Sequence, residues 1–111
     1  MAQLRFSELS APRQVFIRQC QRIGFGRIIG LLVRDSEPVF VEQTEIFLDL
    51  KLDADDNPRP EEHLTDFTVC AELTRLFAKL DAIRNSFIEH VEVRAGIPRR
   101  IVFKASNLMH R

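Results

Sequence analysis

Residues 25–45 read FGRIIGLLVRDSEPVFVEQTE: an alternating apolar stretch, a turn-forming Asp-Ser-Glu-Pro, and a second apolar stretch that closes on a polar cluster. From Arg27 the period is two. Ile29, Leu31 and Val33 fall on one side and Ile28, Gly30, Leu32 and Arg34 on the other, the pattern of a half-buried strand. Asp35, Ser36, Glu37 and Pro38 supply turn chemistry. A two-residue turn at Asp35-Ser36 would set Pro38 and Phe40 against the Leu31/Val33 face, and a three-residue loop over 35–37 would set Val39 and Val41 there. The three-residue loop is the expectation.

The same skeleton returns sixty residues later in 86–105, SFIEHVEVRAGIPRRIVFKA. Ile23, Ile28, Val33, Arg34 and Pro38 meet Ile83, Ile88, Val93, Arg94 and Pro98 identically, whereas Ile29 meets Glu89 and Phe40 meets Arg100. Each copy follows a helical pattern. Ser10 before Ala11-Pro12 is a helix start, since its hydroxyl can accept an orphan N–H and proline is tolerated in the first turn. Phe16, Ile17, Cys20 and Ile23 then share a face, Arg13, Arg18 and Arg22 occupy the rest, and Gly24 is placed to end the helix in the left-handed conformation. In the second unit Thr65 or Asp66 is the expected cap, and Val69, Cys70, Leu73, Leu76, Phe77, Leu80 and Ile83 form an apolar stripe of about five turns. Asn85 is the expected stop.

Between the units Ile46, Leu48, Leu50 and Leu52 alternate with Glu45, Phe47, Asp49 and Lys51, a further strand out of phase with Val39 and Val41. Glu42-Gln43-Thr44 must therefore be a bulge or break that resets the face. Residues 53–64, DADDNPRPEEHL, are an acidic, twice proline-interrupted linker. The expected architecture is α+β: tandem helix-hairpin (αββ)2 units in a single domain over 1–111, with unit one at about 10–52 and unit two at about 65–105. A mainly antiparallel sheet of four or five strands carries both helices on one face. Each unit alone has too small an apolar face to be stable, and packing the two creates a core.

Residues 12–45 resemble the YezD-like family of short bacterial proteins, in which a helix, an aromatic-Gly pair, an alternating strand, an Asp-Gly turn and a strand ending in a Thr-Glu-type cluster follow in order. Phe25-Gly26, Asp35 and Thr44-Glu45 match. Ser36 stands where glycine would be usual, and one more residue separates Gly26 from the turn. The resemblance implies this architecture and brings no activity with it.

The 111 residues are 45% hydrophobic and 29% charged with zero net charge, and no apolar run is long enough for a membrane span. The N-terminus lacks an apolar signal core, so the expected location is the cytoplasm. Cys20 and Cys70 lie within helical patterns and read as reduced core residues. The zero net charge conceals segregation: eleven acids fall within 35–66, flanked by basic units at 1–34 and 91–111. A uniformly basic, nucleic-acid-type surface is excluded.

Motifs for chemistry are absent. Asp53 to Asn57 begins like a calcium loop, but Pro58 and Leu64 stand where glycine and a bidentate glutamate belong. His63, His90 and His110 have no ligand-spaced companions. Gly24-Phe25-Gly26 lacks the remainder of a phosphate loop, no Ser or Cys sits in a nucleophile elbow, and Glu89 and Glu92 point to opposite faces of a strand. No enzyme activity and no cofactor are expected. Arg94, Arg99, Arg100 and Lys104 form a candidate anion or nucleic-acid surface, with no Tyr or Trp to stack on bases. The favoured role is a small interaction or assembly module. It would self-associate, or take a protein partner, through an open sheet face bearing Ile28, Leu32, Phe40, Ile88 and Val102.

Overall fold

A computed structural model describes residues 3–53 and 63–104. A single 3-10 turn, Phe6–Glu8, leads into α1 (Ala11–Ile23), β1 (Gly26–Arg34), β2 (Glu37–Val39) and β3 (Glu45–Leu48). Then come α2 (Ala71–Ile83), β4 (Ser86–Arg94) and β5 (Ile97–Phe103). The strands form one antiparallel sheet in the order β2-β1-β4-β5, with β3 also paired to β1 beyond the end of β2. The class is α+β. The acidic linker and its calcium-like start fall mainly outside the described residues, as do His110 and Arg111.

The local signals for α1 act as the sequence implies: the Ser10 hydroxyl accepts from the Arg13 amide, and the helix stops at Gly24. The stop itself is not the left-handed conformation. Gly24 lies at φ 70°, ψ −74°, and Phe25 N–H donates to Ile23 O at 2.7 Å, the geometry of a γ-turn. Arg84 repeats it at φ 68°, ψ −56°, with Asn85 N–H donating to Ile83 O at 2.8 Å. The positive φ therefore falls on Arg84, not on Asn85. Each γ-turn is tied to the other half's hairpin: Ser36 N–H donates to Arg84 O and Gly96 N–H to Gly24 O.

Because an L-residue in a γ-turn of this sign is strained by roughly 1–3 kcal/mol, Arg84→Gly is expected to stabilise the protein. Glycine also loses more entropy on folding, so the net gain is about 1 kcal/mol. A melting temperature raised by about 4 °C or more in a thermal scan would bear this out, and a lowered one would refute it.

The first hairpin differs from the expected three-residue loop, and the second closes in the same way. Arg34 pairs with Glu37 and Arg94 with Ile97, so Asp35-Ser36 and Ala95-Gly96 are two-residue turns, with positive φ at all four positions. This is the turn whose twist matches a hairpin. Pro38, opposite Val33, is consequently the buried residue of β2, and Phe40 stacks on Phe16 with centroids 6.3 Å apart. An inward proline is tolerated because β2 is an edge strand.

The second helix starts five residues later than Asp66, with Cys70 as its cap. Phe67 and Val69 alternate with exposed Thr68 and pair instead with the N-terminal segment: Phe6 N–H donates to Phe67 O, and Val69 N–H to Leu4 O. Phe6 stacks on Phe67 at 4.8 Å beneath the Arg18 guanidinium. Asp66 accepts from the Ser7 amide and the Arg5 side chain, and the Ser7 amide bond first of all holds its carboxyl below the usual carboxylate range.

Helices and sheet meet over one core. Phe16, Ile17 and Cys20 of α1 and Leu73, Leu76, Phe77 and Leu80 of α2 pack on Ile28, Leu31, Val33, Ile88, Val91 and Val93. Ile28 and Leu31 have opposite parity in a regular strand, yet both are buried. Gly30, at φ 79°, drops out of the ladder between the pairs Ile29–His90 and Leu31–Ile88, and this irregularity returns both Ile28 and Leu31 to the helix side. Thr44 completes it, its hydroxyl donating to Gly30 O at 2.7 Å and accepting from the Val41 amide at 3.0 Å.

Arg13 bridges the layers over the Phe77 ring, binding Glu37, Asp81 and the Ser36 carbonyl. Both cysteines are free. Burial, and secondarily the neighbouring Cys70, pushes the Cys20 thiol up, which makes it a packing residue rather than a nucleophile.

Candidate interaction surfaces

The structure divides the five expected interface residues. Ile28 and Ile88 are fully buried in the helix-side core, because the Gly30 irregularity cancels the parity that would have turned them outward. Phe40 is half-buried against Phe16, a consequence of the two-residue turn. Leu32 and Val102 remain available: Leu32 is half-buried opposite Phe87, and Val102 is exposed opposite His90. Phe87, absent from the sequence-based set, is exposed on this helix-free face, with its ring against Gly30.

The expected basic cluster is also divided. Arg99 turns to the helix layer and pairs with Glu72 at 2.9 Å. That carboxyl lies below its usual range, chiefly through a hydrogen bond from its own backbone amide and, after desolvation acting against it, through Arg99. Arg100 stands opposite Glu92 in the ladder, and Lys104 lies 3.8 Å from Glu89. Arg94 is exposed at the β4 end. Carboxylates thus interrupt the row of cations that phosphate contacts along this hairpin would need. A groove of about 200 Å³ between α2 and β5 adds Arg75 and Lys79 to this region.

A second concavity, of about 450 Å³, lies where β1, β3 and β4 adjoin and is lined by Phe25, Arg27, Asp49, Lys51, His90 and Glu92 among others. Two of its three cations rest on aromatic rings, Arg27 4.8 Å from the Phe47 centroid and Lys51 5.7 Å from that of Phe25, and Arg94 is the third. His90 Nε2 is buried there with no hydrogen-bond partner among the described residues. Among the described residues, no three His, Cys, Asp or Glu side chains are grouped to hold a metal ion.

The strongest surface anomaly is β3. All four of its residues are exposed, although Ile46, Phe47 and Leu48 are large and apolar. Pairing of Ile46 with core residue Ile28 sets Ile46 and Leu48 on the helix side. Exposure is 40% at Ile46 and 53% at Leu48, and 68% at Leu50 and 98% at Leu52 beyond the end of the strand. The alternation of this strand is plain in the sequence. That its apolar side lies beyond the reach of both helices follows only from the position of β3 at the sheet edge.

Asp49 N–H donates to Phe25 O at 2.7 Å, and Phe47 and Glu45 stand opposite Arg27 and Ile29. The alternation of an antiparallel ladder then turns the N–H and C=O groups of Ile46 and Leu48 away from β1, toward the open edge. Edge strands of natural proteins are ordinarily covered, bulged or charged against pairing. This one offers the exposed aliphatic side chains of Ile46 and Leu48, with Leu50 just beyond, and backbone groups turned away from β1.

Among the described residues no helix is long and apolar enough to cross a membrane. No family model, no curated protein and no solved structure matches the chain.

Proposed function

We propose that the protein is a small non-catalytic assembly module that self-associates, using the exposed apolar surface of β3 together with the helix-free sheet face. The observation that carries this reading is the exposure of every large apolar residue of β3, Ile46 and Leu48 on the helix side and Phe47 on the other, with Leu50 and Leu52 exposed just beyond the strand. Scattered apolar residues on a surface are ordinary, but a contiguous run on an unpaired strand edge is the signature of a contact. Leu32, Phe87 and Val102 add apolar residues on the opposite, helix-free face, the side to which Phe47 belongs.

Sedimentation velocity on the full chain at tens of micromolar tests the reading. A dimer or larger closed assembly is the expected result, and a strict monomer over that range would overturn it. Nucleic-acid binding through the second hairpin is not favoured, because Glu72, Glu89 and Glu92 face the cations it would use.

A further inference from the structure

The occupant of the β3 edge, we infer, is β3 of a second copy, paired antiparallel about a two-fold axis through Leu48. This rests on the self-association proposed above and names its surface and register. The backbone groups of Ile46 and Leu48 face the open edge, so outward residues of one copy must meet outward residues of the other, and the pairing carries the strand on through Leu50. That leaves three central registers, with the axis at Phe47, Leu48 or Asp49.

Charge decides among them. With the axis at Phe47, Glu45 of each copy faces Asp49 of the other. With the axis at Asp49, the two Asp49 side chains face each other and Glu45 meets Asp53. With the axis at Leu48, Glu45 of each copy faces Lys51 of the other, twice over, while Phe47 sits beside Asp49. Like charges directly opposite across a ladder are destabilising and opposite charges stabilising.

The helix-side residues agree with the same register: Ile46 meets Leu50, Leu48 meets Leu48, and Leu50 meets Ile46. The aliphatic run that each copy exposes becomes the cover of the other. A contact of this kind uses one patch on both copies and closes as a dimer, so it leaves no free β3 edge to recruit further chains. Among the described residues neither Glu45 nor Lys51 has an ion pair within its own chain, and Lys51 would exchange its contact with the Phe25 ring for the carboxylate across the interface.

The test is charge reversal read by sedimentation equilibrium. Glu45→Lys places two lysines opposite one another at both ends of the contact, and Lys51→Glu places two glutamates there. Each variant alone is expected to dimerise about tenfold more weakly than the wild type, from small like-charge penalties acting twice. An equimolar mixture restores the dimer, since only the mixed pair sets the two lysines of one variant against the two glutamates of the other. The double variant Glu45→Lys/Lys51→Glu behaves as the wild type. Rescue in the mixture also shows that neither variant is misfolded. Single variants as dimeric as the wild type, or a mixture that stays dissociated, would overturn the register while leaving self-association in place. A monomeric wild type would overturn both.

Discussion

Ile28→Glu is expected to abolish folding, while Val102→Glu leaves the folded protein intact. Alternation alone places both residues on the outer side of the sheet, where a glutamate would be solvated and harmless. In the structure Ile28 is completely buried, between the helices and the β1–β4 ladder, and Val102 is 40% exposed. Replacing the buried isoleucine forfeits about 1.5–3 kcal/mol of apolar burial. It also sets a carboxylate among Leu31, Val91 and Leu80 with nothing to pair it, which adds several kcal/mol more or forces the group to take up a proton. The sum is comparable to the whole stability of a domain of this size, about 5–15 kcal/mol. Circular dichroism and a denaturant titration read the result. A cooperative, native-like Ile28→Glu protein would show that the Gly30 irregularity does not turn Ile28 inward.

Gly26→Ala is expected to strip β3 from the sheet. A Cβ built on Gly26 would lie 2.0 Å from the carbonyl oxygen of Phe47 and 3.1 Å from a methyl group of Ile23. Backbone stands on one side of it and a helix terminus on the other, so no side-chain rotation relieves the contact. Either β3 withdraws from β1 or β1 shifts from beneath α1, at a cost of about 3 kcal/mol or more. Withdrawal of β3 is the smaller rearrangement, because its side chains are exposed while those of β1 form the core. Hydrogen exchange should show early loss of protection at the Asp49 and Phe47 amides, with those of β4 retained. Exchange at β3 unchanged from the wild type would contradict the close approach. Because β3 is the proposed contact edge, the same substitution is expected to weaken self-association without touching Glu45, Leu48 or Lys51.

Much of the secondary structure was legible because its signals are local. Ser10, Pro12 and Gly24 mark the ends of α1 by the hydrogen bonds and torsions those residues permit, and they do so in the structure. The period of two in 27–34 and 45–52 gave strands where strands are found, although the second ends at Leu48 rather than Leu52. What failed did so where two local preferences compete. Val69 fits a helical stripe as well as an extended segment, and the pairing of Phe67 and Val69 with Phe6 and Leu4, more than sixty residues away, decided for the latter. Two-residue and three-residue turns were both open at Asp35, and the choice fell to what Phe16 could pack against.

The candidate surfaces were less legible, for a related reason. A period of two says that Ile28 and Leu31 face opposite ways, and only the paired kink at Gly30 makes them share a face. Glycine inside a strand pattern is a recognised sign of such a bulge, and Gly30 was the available signal. The cations of the second hairpin could be counted in the sequence, but the glutamates opposing them come from α2 and β4 by tertiary placement.

Two helices and an antiparallel sheet around one core follow from the order of residues alone, because caps, periodicity and turn residues act over a few positions. Which apolar strand faces are covered does not follow from that order. Coverage depends on where the two helices lie in three dimensions: they span β2, β1, β4 and β5 and stop short of β3, so the aliphatic side of 46–52 meets solvent while an equally apolar β1 is buried.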